Sequence, residues 1–166
     1  LSGNVHVPGS SKVGNTWDYA PVQYAPNGNQ LWIARYNSTA NRSDQASAVA
    51  VDLNGNVFVT GSAQNAAGKF EYNTIKYDPA GNQLWVRTYT GPGATEDDAK
   101  ALALDEAGNV YVTGQSQGSG TGFDYATVKY SNAGNLLWVA RYDGPASQDD
   151  FGAKVIVDAA QNVYVT

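Results

Sequence analysis

The chain has 166 residues, a net charge of −5 and a pI near 4.6, and it contains neither cysteine nor methionine. The missing cysteine excludes disulfide bonds, thiolate metal sites and cysteine nucleophiles. The acidic balance argues against nucleic-acid partners, and no apolar run is long enough for a membrane-spanning helix, so we expect no membrane insertion. A chain that starts at Leu1 without methionine is expected to be a piece of a longer protein or a processed product.

One seven-residue motif recurs along the chain. It is written GNVHVPG at 3–9, GNVFVTG at 55–61 and GNVYVTG at 108–114, and it returns as QNVYVT at 161–166. Trp32, Trp85 and Trp138 keep a spacing of 53 residues. A constant phase over so many positions indicates one structural unit used repeatedly. We place the repeats at residues 1–43, 44–96, 97–149 and, incompletely, 150–166, in a single region covering 1–166.

The predicted elements of one repeat are four short strands. In chain order, those of the third repeat are Ala99–Leu104, Val110–Thr113, Phe123–Tyr130 and Leu136–Tyr142. They are rich in Val, Tyr, Phe and Thr and are bounded by Gly, Asn, Asp or Pro. No window has the periodicity of a helix. The same pattern gives three strands in the first repeat, four in each of the next two and two in the last, or thirteen in all.

The side chains grow larger from the first strand of a repeat to the fourth. The first strand is rich in alanine, which suits a crowded axis, whereas the fourth strand, QLWVRTY at 83–89, has large apolar groups on both faces. Both faces should therefore be covered, and we predict these core positions: Trp32, Trp85, Trp138, Tyr24, Tyr77 and Tyr130. The prediction is an all-β chain of about three β-propeller blades, each with four antiparallel strands, in a partial ring or fragment. A β-solenoid is the alternative, but its coils are usually shorter.

The segments YDPAGNQLWVRTY at 77–89 and DDAKALALDEAGNVYVTG at 97–114 resemble the bacterial β-propeller repeat family, known as seven-bladed β-propeller repeats. The resemblance extends over residues 3–166. It implies an architectural or interaction module of secreted or cell-surface bacterial proteins, without a shared catalytic set. The first repeat departs most, since Pro8 replaces the threonine of VTG.

Acidic loops are the candidate metal sites. Clustered carboxylates can hold calcium, the one cofactor that we consider, and the candidate ligands are Glu96, Asp97, Asp98, Asp149 and Asp150. The spacing of an EF-hand is absent. We favour the alternative that one aspartate per loop, at 44, 97 and 150, accepts backbone N–H bonds at the entry to the first strand.

His6 is the only histidine, so any Ser-His-Asp triad would require it. It occupies the position of Phe58, Tyr111 and Tyr164 in the other repeats, and we interpret it as a packing substitute. We therefore expect no catalytic residue and lean away from an enzyme.

Three functions remain open. The first is a non-catalytic structural or interaction module of a secreted or surface bacterial protein, whose partners are further blades from a longer chain or a second copy, and a protein ligand. The second is a glycan-binding propeller, which predicts equivalent sites in successive blades. The third is a lyase or hydrolase that uses loop carboxylates as acid and base. Near-identical repeats rarely single out one reactive pair, so we rank the third last.

Overall fold

The computed structural model describes residues 3–93 and 95–166, and it has fifteen β-strands and no helix within them. The predicted first repeat and the second acidic loop thus contain residues outside the described ranges, at 1, 2 and 94. The strands are β1 Val5–Val7, β2 Ser10–Val13, β3 Thr16–Tyr19, β4 Val22–Tyr24, β5 Gln30–Ile33, β6 Asp44–Val51, β7 Val57–Gln64, β8 Phe70–Tyr77, β9 Gln83–Tyr89, β10 Asp97–Leu104, β11 Val110–Gln117, β12 Phe123–Tyr130, β13 Leu136–Tyr142, β14 Val155–Val157 and β15 Val163–Val165.

The strands form successive antiparallel blades, as the sequence predicts. Two complete four-stranded sheets have the orders β6-β7-β8-β9 and β10-β11-β12-β13, and β14 pairs with β15. The inner strand β6 contacts β10, and β10 contacts β14, so the alanine-rich strands of consecutive blades lie side by side. The described residues form a row of blades and not a closed ring.

The first blade is divided into two small sheets, β1-β4-β5 and β2-β3. The divisions fall at Pro8 and Pro21, which occupy the positions of Thr60 and Thr74 in the second blade. Those threonines face each other in the β7–β8 ladder, and their Oγ1 atoms are 3.0 Å apart. Proline has no N–H and no hydroxyl, so the paired prolines interrupt both strands. Each broken strand counts twice, which accounts for fifteen strands where thirteen are predicted.

Two strands are longer than predicted. β10 begins at Asp97 instead of Ala99, and β11 continues to Gln117 past the glycine that follows Thr113. Gly114 pairs with Ala99 beside a β-bulge, and a Cβ atom on Gly114 would lie 2.1 Å from the carbonyl oxygen of Asp98. The glycine therefore admits a close backbone approach and does not end the strand.

The core consists of two layers, one on each face of the second blade. The layer towards the first blade contains Tyr19, Val57, Val59, Ile75 and Tyr77. The layer towards the third blade contains Phe58, Tyr72, Ala99, Val110, Val112, Ala126, Val128 and Tyr130. Alternate residues of β7 enter opposite layers, so both faces of this blade are covered at its second strand. On the fourth strand, β9, coverage is only partial, because Leu84 is 53% exposed.

The blades have two distinct ends. We call the end with the tight turns 52–56, 78–82, 105–109 and 131–135 the hairpin face, and the opposite end, with the longer connections, the loop face. No helix in the described ranges is long and apolar enough to cross a membrane.

Candidate functional site

The acidic loops of the loop face are held together by one aspartate each. A carboxylate oxygen of Asp44, Asp97 and Asp150 accepts a hydrogen bond from the backbone N–H six residues earlier, at 2.6, 2.7 and 2.6 Å. The prediction that one aspartate per loop binds the backbone is confirmed. Burial raises the pKa of Asp44 and Asp97, although the hydrogen bonds act in the opposite direction.

The other candidate calcium ligands point to separate partners. Glu96 accepts a bond from the backbone N–H of Phe70 at 3.3 Å, and Asp149, one repeat later, accepts one from that of Phe123 at 2.9 Å. Asp98 is bonded to the Ser62 hydroxyl and the Lys100 ammonium group. Within residues 3–93 and 95–166, no group of three or more His, Asp or Glu side chains is arranged to hold a metal ion. Solution tests decide whether these acids bind calcium, the alternative that we do not favour from the sequence.

The predicted core aromatics differ in burial. Tyr77 and Tyr130 are buried at 1% and 4% exposure, whereas Tyr24, Trp32 and Trp85 are partly buried. Trp138 is 37% exposed, so the prediction of a core position is wrong for this residue. The fourth strand is the outer strand of its blade, and burial there depends on the next blade. Trp32 and Trp85 contact a complete following blade, whereas Trp138 is followed by only two strands.

His6 lies in the aromatic position that the repeat predicts. Its ring centre is 6.4 Å from that of Trp32, and the equivalent rings of Phe58 and Tyr111 lie 5.9 Å from Trp85 and Trp138. Burial lowers its pKa, so the imidazole is neutral near pH 7. Nε2 of His6 is 2.7 Å from Nε2 of Gln23. These contacts are those of a packing residue with a polar edge.

Four turns at the hairpin-face end of the blades are held by hydrogen bonds between an Asp and the Asn four residues later. In the turn 131–135, Ser131 replaces the Asp, and its hydroxyl accepts from the backbone N–H of Asn135. Asp105 accepts bonds from the backbone and the side chain of Asn109, at 2.9 and 2.8 Å. The pairs Asp52–Asn56, Asp78–Asn82 and Asp158–Asn162 repeat this geometry. Turns of similar shape are therefore repeated at regular intervals along the hairpin face.

Two grooves of equivalent construction lie between successive blades on this face. The first, of about 520 Å³, is lined by Gly3, Asn4, His6, Gln23, Val51, Leu53, Asn54, Gly55 and Pro79. The second, of about 650 Å³, is lined by Val51, Asp52, Leu53, Asn54, Leu104, Asp105, Glu106, Ala107, Gly108 and Asn132. Val51, Gly55 and Pro79 of the first correspond, one repeat later, to Leu104, Gly108 and Asn132 of the second. Leu53 is shared by both grooves and is 80% exposed.

The comparison with protein families agrees with this geometry. Residues 31–66 and 85–120 each match the family model SBBP, a beta-propeller repeat. The chain carries beta-propeller repeats. A curated relative of these repeats, an uncharacterized WD repeat-containing protein of Acanthamoeba polyphaga mimivirus, is 29% identical over 150 residues, which cover 74% of this chain. The chain spans 10% of that relative's length.

Sequence reasoning did not identify the grooves of the propeller repeats. It located the turns, but a groove depends on the distance between two turns in neighbouring blades. The available signal was Leu53, an apolar residue in the turn DLNGN, where the next repeat has Glu106.

Proposed function

We propose that this chain is a non-catalytic interaction module of a longer propeller protein, secreted or displayed on a bacterial surface, and that it binds a protein partner through the grooves of the hairpin face. The observation that carries the proposal is the exposed position of Leu53. It is 80% exposed on a rigid turn, and it forms the shared wall of two adjacent grooves. An apolar side chain between repeated concave surfaces favours contact with an apolar anchor of another protein.

The geometry of the acids supports a non-catalytic role. The loop aspartates are committed to backbone groups within their own loops. A general acid–base pair needs two carboxyl groups directed at one substrate position. The loop acids instead serve the same structural purpose in each repeat.

The test compares two leucine variants of the whole chain as affinity baits. Leu53→Asp places a charge at the shared wall, and Leu84→Asp places one at a 53% exposed site on the outer strand β9. Quantitative mass spectrometry of host extracts should find a protein retained by the wild type and by Leu84→Asp but lost from Leu53→Asp. If every retained protein binds all three baits equally, the grooves are not the binding surface.

Glycan binding is the second candidate, and the equivalence of the two grooves favours it, because lectin propellers present similar sites in successive blades. A glycan array with the immobilised chain tests it. Binding that is lost in Asn54→Ala, a residue of both grooves, would replace the protein partner by a sugar. A blank array at high protein density would remove this candidate.

The secreted or surface location and the further blades belong to the same proposal. The location rests on the resemblance of the repeats, and fractionation of the native host tests it. The proposal of further blades is supported by exposed apolar residues on the last complete sheet, such as Leu137 at 50% and Val139 at 40% exposure. Native mass spectrometry of the natural protein distinguishes further blades in a longer chain from a second copy.

A further inference from the structure

The guanidinium group of Arg141 is enclosed on the loop face of the third blade. Nη1 donates to the hydroxyl of Tyr89 at 3.0 Å and to that of Ser116 at 2.5 Å. Nη2 donates to the carbonyl of Ser116 at 2.8 Å and to the carboxylate of Asp124 at 2.7 Å. Burial acts to lower the pKa of Arg141, but its bonds to Asp124 and Tyr89 outweigh this effect and raise it. The third blade, together with Tyr89 of the second, thus forms a complete guanidinium site that Arg141 occupies.

The second blade has a cavity in the same place. Thr88 stands one repeat before Arg141, and its short side chain cannot reach the acceptors. The groups equivalent to Tyr89, Ser116 and Asp124 are Tyr36, Ala63 and Glu71. Thr88, Ala63 and Glu71 of the second blade and Tyr36 of the first blade line a cavity of about 190 Å³. Glu71 is the only charged residue of this lining, and no ion pair with it is found among the described residues.

Asn73 supplies independent evidence that the cavity lacks a donor. It replaces Ala126 of the third blade, lines the cavity and is 1% exposed. Its Nδ2 donates to the hydroxyl of Tyr36 at 3.0 Å, whereas its Oδ1 is buried and has no hydrogen-bond partner in the described part of the chain. A buried acceptor without a donor costs free energy, about 1–3 kcal/mol in general, so a donor from outside is favoured.

The opening of the cavity fits an extended side chain. Thr39, Ala66 and Thr88 line it and are exposed, so the cavity is reached from the loop face. We propose that this cavity binds the guanidinium group of an arginine side chain from outside the chain, at the position that Arg141 fills internally in the third blade. The planar group would bond to Glu71, to the carbonyl of Ala63 and to Oδ1 of Asn73. The proposal does not depend on the grooves of the opposite face.

The first test is a titration of the whole chain with N-acetyl-arginine amide, followed by NMR signals of the Asn73 side-chain amide and the Thr88 backbone amide. We expect saturable shifts, and at least about tenfold weaker binding of the neutral isostere N-acetyl-citrulline amide, because charge-assisted bonds to Glu71 are lost. Methylguanidinium and an arginine-containing peptide serve as separate arms. Tight binding of methylguanidinium alone would indicate a small-molecule ligand, and tighter binding of the peptide a protein ligand.

Three variants locate the binding. Thr88→Arg should fill the cavity from within and abolish the shifts, and Glu71→Gln should weaken binding at least about tenfold. Asp143→Asn, at an exposed acid that lines neither this cavity nor the grooves of the hairpin face, is the matched control and should bind like the wild type. Arg141→Ala should open the equivalent cavity in the third blade and add a second binding event. The proposal is overturned if arginine and citrulline derivatives bind alike, if no saturable shift occurs, or if both Thr88→Arg and Glu71→Gln bind normally.

Discussion

The indole nitrogen of Trp85 donates a hydrogen bond to the backbone carbonyl of Asn132 in the next blade, 3.0 Å away. Trp32 makes the same bond to Pro79, at 3.1 Å. Tryptophan in the outer strand therefore links successive blades, with its ring against the following turn. The equivalent Trp138 contacts Tyr111 of its own blade and stays 37% exposed.

The tryptophan link predicts unequal effects of equivalent substitutions. Trp85→Ala removes the ring from the inter-blade layer and should lower the free energy of unfolding by about 2–4 kcal/mol, near the lower end of values for aromatic residues because the ring is only partly buried. Trp138→Ala should cost about 1 kcal/mol or less, because the ring is 37% exposed and no turn of a following blade contacts it among the described residues. Urea denaturation checks both. Equal losses would show that the contact with the next blade contributes little.

The contact between Trp85 and the next blade can also be tested by a substitution at Gly134, in the turn that faces the ring. Its φ is +84°, and a Cβ atom would lie 3.0 Å from the ring of Trp85. Gly28 has a φ of +86° at the equivalent turn, but a Cβ atom there would meet nothing within 4 Å. Both alanine variants bear the strain of a left-handed residue, about 1 kcal/mol.

Gly134→Ala should therefore be less stable than Gly28→Ala, by at least about 1 kcal/mol from the added crowding. Thermal and urea unfolding measure the difference. The difference should vanish in a Trp85→Ala background, and its persistence there would place the crowding elsewhere.

The strand breaks at Pro8 and Pro21 in the first blade should be reversible by substitution. The double variant Pro8→Thr, Pro21→Thr restores the residues of the Thr60–Thr74 pair and should raise the free energy of unfolding by about 1 kcal/mol through one added hydrogen bond. Each single variant should gain less. Amide hydrogen exchange should slow in β1 and β4, and unchanged exchange in the double variant would show that the prolines do not cause the break.

Calcium should not stabilise the chain. Asp97 and Asp150 already bind backbone N–H groups, and Asp98 binds Lys100. We expect the same Tm with chelator and with millimolar calcium, measured by scanning calorimetry. A calcium-dependent rise in Tm that disappears in the Asp97→Asn, Asp98→Asn double variant would contradict this expectation.

Asp97 and Asp105 should make opposite contributions to the change in folding stability at low pH. Burial raises the pKa of Asp97, so protonation stabilises the folded state as the pH falls from the folded pKa towards the unfolded value, about 3.9. Burial acts on Asp105 in the same direction, but hydrogen bonds from Asn109 and Tyr111 outweigh it and lower its pKa. Its stabilising contribution is present above the unfolded pKa and is lost as the pH falls through the folded pKa.

Replacing each aspartate by a residue that does not titrate should therefore change the pH dependence of stability in opposite directions. Asp105→Asn should lose less stability than the wild type between about pH 5 and pH 2, and Asp97→Asn should lose more. Urea denaturation at a series of pH values measures both slopes. Slopes that change in the same direction would show that the two carboxyl groups do not differ as described.

Local sequence determined the repeat, its strands and its turns. Phe123–Tyr130 and Leu136–Tyr142 are observed with the predicted bounds. The role of Asp97 was also predictable, because its hydrogen bond joins residues only six positions apart and recurs at 44 and 150. Such features depend on a few neighbouring residues, and the repeat displays them several times.

Only the tertiary structure decided which surfaces are covered and where cavities remain. Trp85 and Trp138 have the same local sequence, but their exposure depends on a neighbouring blade. The cavity beside Glu71 exists because Thr88 stands where Arg141 stands one repeat later, and its lining residues come from three strands and the neighbouring blade. Whether a side chain is buried, or an acceptor lacks a donor, depends on groups that are far apart in the sequence. The pattern of strands therefore specifies the blades, whereas the packing between blades specifies the cavities and exposed surfaces.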